Sequence, residues 1–153
     1  MTSILITGAA SGIGAATAKK LASKEVSLTL TTKTNLEGLK SVTKFAENKG
    51  AKVSYICGDL SEKNFIEKLV NLARSSTGNI DQFISNAGYA DKKEFGEYNN
   101  DDLNRSVQTM AISFSEIINL CIEDFKKSSC GRIIVISSFV NKSIGLNLSL
   151  IHI

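Results

Sequence analysis

Ser3-Ile4-Leu5-Ile6-Thr7-Gly8-Ala9-Ala10-Ser11-Gly12-Ile13-Gly14 decides how this chain folds. Its first four residues form an apolar run of strand type, and a helical pattern begins after Ser11, so the glycines occupy a turn from a first strand into a first helix. Glycine at positions 8 and 12 lets the backbone bend sharply and approach a diphosphate without a clashing Cβ. Gly14 lets the following helix lie close to the sheet. The helix start offers unpaired N–H groups and a partial positive charge, both suited to a phosphate. An α/β fold holds a dinucleotide at such a turn, here through Gly8, Ala10, Ser11, Gly12, Ile13 and Gly14; a glycine-rich turn without ligand is the alternative. The spacing G-x-x-x-G-x-G is not that of a P-loop, because no Gly-Lys-Ser/Thr follows.

Outward from this turn the pattern alternates. Strands are predicted at residues 4–7, 26–31, 52–56, 82–85 and 132–137, and helices at 13–23, 36–49, 62–75 and about 101–127. In the last helix Leu103, Val107, Met110, Phe114, Ile117, Ile118 and Cys121 recur at three- and four-residue steps, which predicts one buried face. Asn100 and Asp101 are available as caps at its start, and Ser61 reads as the N-cap of the third helix. Strand–helix alternation implies right-handed crossovers and a parallel sheet covered on both faces. The expected architecture is a Rossmann-type doubly wound α/β sheet with strand order 3-2-1-4-5 and a crevice at the carboxyl ends of strands one and four. One domain is expected over residues 1–153, with an irregular tail from about residue 142 and no repeat, linker or low-complexity tract.

Length and composition narrow the function classes. A chain of 153 residues buries one core. Hydrophobic residues at 42% and charged residues at 22% describe a globular chain, and the net charge of +3 comes from scattered basic residues. Nucleic-acid binding would need a basic stripe interleaved with aromatics, so no nucleic-acid partner is expected. Apolar runs fall short of membrane-spanning length, and a cytoplasmic location without membrane contact is expected. Cys57, Cys121 and Cys130 suit a reducing compartment as small buried hydrophobes. With His152 the only histidine, no metal site is expected.

Two further motifs reinforce the first. Ser85-Asn86-Ala87-Gly88 closes the strand containing Gln82-Phe83-Ile84, and Ile136-Ser137-Ser138 follows Arg132-Ile133-Ile134-Val135. Together with the N-terminal turn they resemble the short-chain dehydrogenase/reductase family, over about residues 2–141. The resemblance implies an NAD(P)-dependent oxidoreductase that moves a hydride between a nicotinamide cofactor and a carbonyl or secondary alcohol. An acid at the end of strand two would accept bonds from the adenosine ribose. Here the strand ends Thr31-Thr32-Lys33; Lys33 could meet a 2′-phosphate and Thr32 donate to it, which tilts the cofactor toward NADP, with NAD possible. A solvated lysine opening the next loop is the plain alternative. Asp59 matches the family position that receives the adenine amino group, with Leu60 beside it; a turn residue is the alternative there. Asn86, with Ala87 and Gly88, is implied to brace the central strands and line the crevice.

The catalytic half is less complete. The family uses a tyrosine as proton donor, a lysine four residues later, a serine after strand five and an asparagine in the preceding helix. Ser138 stands where the family's serine belongs; a serine ending a strand in a polar turn is the alternative. The asparagine position falls on Met110, whose thioether holds a water poorly. The tyrosine should lie near Ile151 and is absent, while Tyr55, Tyr89 and Tyr98 belong to other segments of the chain. The sequence therefore reads as the cofactor-binding part of a longer enzyme, inactive as it stands, with C-terminal strands missing and final residues unrelated to the parent. The parent is expected to act on a small-molecule carbonyl or alcohol as a homo-oligomer. A non-catalytic NADP(H)-binding sensor or scaffold is the second reading. A methyltransferase is disfavoured by Asn86-Ala87-Gly88 and by the missing acid after strand two.

Overall fold

The computed structural model of the chain describes residues 1–88 and 97–137. Five strands, β1 (Thr2–Thr7), β2 (Val26–Thr32), β3 (Lys52–Cys57), β4 (Gln82–Ser85) and β5 (Arg132–Val135), form one sheet in the order β3-β2-β1-β4-β5. Each neighbouring pair is parallel, with Thr7 opposite Thr31, Ile6 opposite Ile84 and Thr32 opposite Cys57. The expected doubly wound parallel architecture and its strand order are therefore what the chain adopts.

Five helices connect and flank the strands: α1 (Gly12–Leu21), α2 (Leu36–Asn48), α3 (Lys63–Thr77), α4 (Asn100–Val107) and α5 (Ser113–Lys127). Strand residues alternate between faces, and this divides the core in two. Ile4, Ile6, Leu28 and Leu30 pack with Ala18, Leu39, Val42 and Ala46 on the face covered by α1 and α2. Leu5 and Phe83 pack with Ile66, Leu69, Val70, Ile117 and Cys121 on the face covered by α3 and α5. Arg74 of α3 locks that second layer, its Nε 2.9 Å from Asp124 Oδ2 and its Nη2 donating to the Leu120 carbonyl at 2.7 Å. At the amino ends of the strands the buried Asp81 accepts from the Ser3 N–H at 2.7 Å, Asn79 Nδ2 at 2.8 Å and Ser128 Oγ at 2.7 Å.

Several local expectations need correction. The third helix is not capped by Ser61: its N–H and hydroxyl both donate to Asp59 Oδ1 at 2.9 Å, and Glu62 occupies the cap without a side-chain bond. An ionised carboxylate two residues back is the stronger acceptor and holds the serine in the turn. At the start of α4 the cap is Asn99, not Asn100 or Asp101. Asn99 Oδ1 accepts from the Asp102 N–H, and Asp102 Oδ2 accepts from the Asn99 N–H, a reciprocal box that requires an acceptor and a carboxylate three residues apart.

The long helix is also not one continuous apolar stripe. A π turn, Gln108–Ile112, separates α4 from α5. Its added residue rotates the amino-terminal segment, so Asp102 and Ser106 face inward and Leu103 and Val107 face out. Ile117 and Cys121 are buried as expected, whereas Met110, Phe114 and Ile118 are half-buried. Of the cysteines only Cys121 is fully buried; Cys57 and Cys130 are partly exposed. β5 stands at the edge of the described sheet with Ile133, Ile134 and Val135 all exposed.

Candidate functional site

β1 ends at Thr7, and the chain turns through Gly8, whose φ of +65° favours glycine. The Ala9 N–H then donates to the Thr31 carbonyl at 2.9 Å, which fastens the turn to β2. Ala9 and Ala10 are buried in the first core layer, and Ser11 enters α1 in an extended conformation without a side-chain cap bond. The first turn of α1 carries no acidic residue, so its amide N–H groups remain available to an anion.

Asn86 joins this turn to the end of β4. Its Nδ2 donates to the Thr7 carbonyl at 3.1 Å and the Gly8 carbonyl at 3.0 Å. Thr7 Oγ1 accepts in return from the N–H groups of Asn86 and Ala87, each at 3.1 Å. The junction leaves no room for side chains. A Cβ on Gly8 would lie 2.9 Å from Ala87 Cα and 2.9 Å from Asn86 Nδ2. A Cβ on Gly14 would collide with the Gly8 carbonyl oxygen and come within 2.5 Å of Asn86 Nδ2. The two glycine bends, far apart in sequence, thus share one set of hydrogen bonds at the point where strand order reverses.

A cavity of about 420 Å3 opens beside them. Of the residues singled out from sequence, Gly8, Ser11, Thr32, Lys33, Asp59, Leu60, Asn86, Ala87 and Gly88 line it. Ala10, Gly12, Ile13 and Gly14 do not line it: Ala10 is in the core, Gly14 under the Gly8 carbonyl, and Gly12 and Ile13 are exposed at the start of α1. Ser138 lies outside the described residues, as do the tail from about residue 142 and Tyr89. Tyr55 and Tyr98 do not line the cavity.

Four lining residues escaped the sequence reading: Thr31, Gly58, Arg105 and Thr109. Arg105 and Thr109 are four residues apart on the long helix and so share a face, but nothing local marks that face as the one turned to the cavity. Arg105 Nη2 donates to Asp102 Oδ1 at 2.8 Å. Thr31 is buried, and its hydroxyl has no hydrogen-bond partner. Met110, in the π turn, faces Gly88, with its sulfur 3.5 Å from where a Cβ on that glycine would sit.

The charged centre of the cavity is an ion pair. Lys33 Nζ lies 2.5 Å from Asp59 Oδ2. Burial pushes the Asp59 carboxyl up, but the Lys33 ammonium and the two donors of Ser61 outweigh it and hold the group below its ordinary value. A glycine-built anion cradle, a crevice at the carboxyl ends of parallel strands and a cation on its wall define a nucleotide-binding α/β fold.

Comparison with known proteins agrees with this class. The model of the family described as short chain dehydrogenase matches residues 2–149, and the chain belongs to that family. The NADPH-dependent reductase BacG of Bacillus subtilis is 28% identical over 145 residues, 94% of this chain and 56% of the relative. The 3-oxoacyl-[acyl-carrier-protein] reductase FabG of Salmonella typhimurium is 27% identical over 136 residues, 89% of this chain and 54% of the relative. A short chain dehydrogenase from Burkholderia cenocepacia, solved in complex with NADP, superposes with a TM-score of 0.89 at 22% identity, covering 97% of this chain and 60% of that one. The chain thus spans about half the length of the curated relatives it matches.

Proposed function

We propose that this chain is the NADP(H)-binding part of an oxidoreductase that exchanges a hydride between the nicotinamide and a small carbonyl compound or secondary alcohol. The observation that carries the reading is the cavity wall at the end of β2. Thr32 and Lys33 stand there without an acid from that strand, in the same hollow as the Gly8 turn and Asn86. The cradle fits a dinucleotide: glycine at 8 and 14 lets the turn and the start of α1 pack tightly against Asn86 and Ala87, and the first turn of α1, which carries no acidic residue, opens beside the cavity that Gly8 and Ser11 line. BacG, an NADPH-dependent reductase, and FabG, a reductase of an acyl-carrier-protein substrate, support both the cofactor and the reaction class.

In this reading the amides of the Gly8 turn and the start of α1 hold the diphosphate. Lys33 and Thr32 take the 2′-phosphate, and Asp59 with Leu60 receives the adenine. When bound, the nicotinamide supplies the hydride donor or acceptor. Ala87 and Gly88 shape the crevice toward it, and Ser138 polarises the substrate oxygen. Met110 donates no hydrogen bond, so a water at that point of the helix rests on backbone groups alone. The tyrosine and lysine that move the proton belong to the remainder of the enzyme, and the chain by itself turns over no substrate. The exposed Leu103, Val107 and Ile112 on the long helix support a homo-oligomeric parent. No helix among the described residues is long and apolar enough to cross a membrane, which is compatible with a cytoplasmic enzyme.

Isothermal titration of the chain with NADP+ and NAD+ tests the proposal. NADP+ is expected to bind more tightly, and Lys33→Asp to reverse the order. Absence of binding by either nucleotide overturns the reading. Measurable carbonyl reduction by the chain alone would mean that another group serves as acid. The thioether of Met110 favours a second reading, a nucleotide-binding sensor or scaffold without catalysis; a parent sequence lacking Tyr-x-x-x-Lys downstream of strand five would select it.

A further inference from the structure

The Lys33–Asp59 pair spans two fixed points of the fold. Thr32 and Cys57 pair in register, and the Gly58 N–H donates to the Thr32 carbonyl at 3.0 Å, so the backbones on either side of the cavity are tied one residue from each partner. Asp59 is anchored again by its side chain. Oδ1 accepts from the N–H and hydroxyl of Ser61, both at 2.9 Å, and only Oδ2 faces Lys33. Lys33 has no such anchor: its side chain is 59% exposed, against 22% for Asp59. The carboxylate is therefore the fixed post and the lysine the moving arm, and both line the nucleotide cavity.

We propose that Lys33 and Asp59 form a clasp, opened by a nucleotide carrying a phosphate monoester on its adenosine ribose and left shut by one with free ribose hydroxyls. The inference rests on the nucleotide-binding reading above and adds a mechanism for selectivity. A phosphate monoester carries about −1.5 to −2 charge near neutral pH and three strong acceptor oxygens. It competes for an ammonium already committed to a single carboxylate oxygen. Ribose hydroxyls bring no charge and leave Lys33 on Asp59. Asp59 then has a role apart from any contact with the base: as the resting partner of Lys33, it sets how far the phosphate-bearing nucleotide is preferred.

This makes a counterintuitive forecast. Removing an acid from the cofactor cavity increases discrimination, because it releases the lysine in the empty protein. Asp59→Asn is a close test, since the amide keeps an oxygen for Ser61 while losing the charge that holds Lys33. The ratio of NADP+ to NAD+ affinities, measured by isothermal titration of the 153-residue chain, is expected to rise about three- to fivefold, the range of a partly exposed ion pair. In a Lys33→Met background, where there is no lysine to release, the same substitution is expected to change the ratio by less than about twofold. An unchanged or lower ratio in Asp59→Asn overturns the clasp. So does an equal rise in the Lys33→Met background, which would mean that Asp59 merely repels the phosphate. Because each variant is compared with itself on two nucleotides, a general loss of affinity cancels, and thermal unfolding of every variant confirms that it is folded. Absence of nucleotide binding by the wild-type chain would overturn the nucleotide reading, and the clasp with it; binding with the ratio unmoved overturns the clasp alone.

Discussion

Gly14→Ala isolates the junction on which the candidate site is built. The residue is third in α1, where alanine by propensity alone would stabilise the helix by about 1 kcal/mol. The added methyl, however, meets the Gly8 carbonyl oxygen and lies 2.5 Å from Asn86 Nδ2. The carbonyl belongs to a turn pinned on both sides and gives way poorly, so overpacking costs about 1–3 kcal/mol. Displacing Asn86 weakens its bonds to the Thr7 and Gly8 carbonyls, each worth about 1 kcal/mol. The balance is a destabilisation of about 2 kcal/mol, or a fall in Tm of about 4–8 °C for a chain of this size. Thermal unfolding followed by circular dichroism measures it. Gly12→Ala is the control: Gly12 has φ of +53° but nothing within 4 Å of a Cβ, so its cost is backbone strain of about 1 kcal/mol with no collision. In an Asn86→Ala background the Gly14→Ala penalty should shrink by about 1 kcal/mol, because one of the two obstructing groups is gone. A Gly14→Ala chain melting within about 1 °C of wild type, with the Asn86 amide resonances unmoved, would refute the packing argument.

Three further outcomes follow from groups elsewhere. Burial pushes the Cys121 thiol up to about 12, with a smaller lowering by Arg74 and a smaller raising by Asp124; an alkylating reagent at about pH 8 should modify Cys57 and Cys130 in the native chain and reach Cys121 only on unfolding, as peptide mass mapping would show. Asp81→Ala strips the acceptor from the buried Ser3 N–H, Asn79 and Ser128, and should cost about 3 kcal/mol in urea denaturation; a loss under about 1 kcal/mol would contradict the network. The Asp59 carboxyl is held below its ordinary value when folded, so its ionic contribution is present above the unfolded value near pH 4 and disappears as pH falls through the folded one. The difference in urea midpoint between wild type and Asp59→Asn should accordingly stay level from neutral pH to about 4 and close below it.

The fold was legible because its signals are local and repeated. The apolar alternation of Ile4, Leu5 and Ile6 splits between two core layers as a parallel sheet requires, and the Gly8 and Asn86 motifs begin where β1 and β4 end. The wall of the cavity was legible wherever a motif touches it, at Gly8, Lys33, Asp59 and Asn86. What stayed hidden depends on contacts between elements. Arg105 and Thr109 enter the wall because the long helix crosses it, and no local signal marks that crossing. Leu103 and Val107 fit an ideal helical period, but a π turn downstream changed the phase and left them outside. Ser61 looked like a cap until a competing carboxylate two residues back claimed it. Lys33 and Asp59 lie in two loops after different strands, and only the pairing of β2 with β3 brings them together.

Binding and stability are coupled in this design. β1 pairs with β2 on one side and β4 on the other, and the connections that leave its two neighbours run in opposite directions around the sheet. The crevice exists because they diverge, yet divergence leaves the carboxyl ends of β1 and β4 without a covering helix between them. Asn86 and Thr7 fill that role with four hydrogen bonds across the gap. A nucleotide laid over the Gly8 turn rests on the same bonds. Ligand should therefore raise the unfolding temperature more in wild type than in Asn86→Ala, since binding to the native state stabilises it in proportion to how well the cradle is already formed.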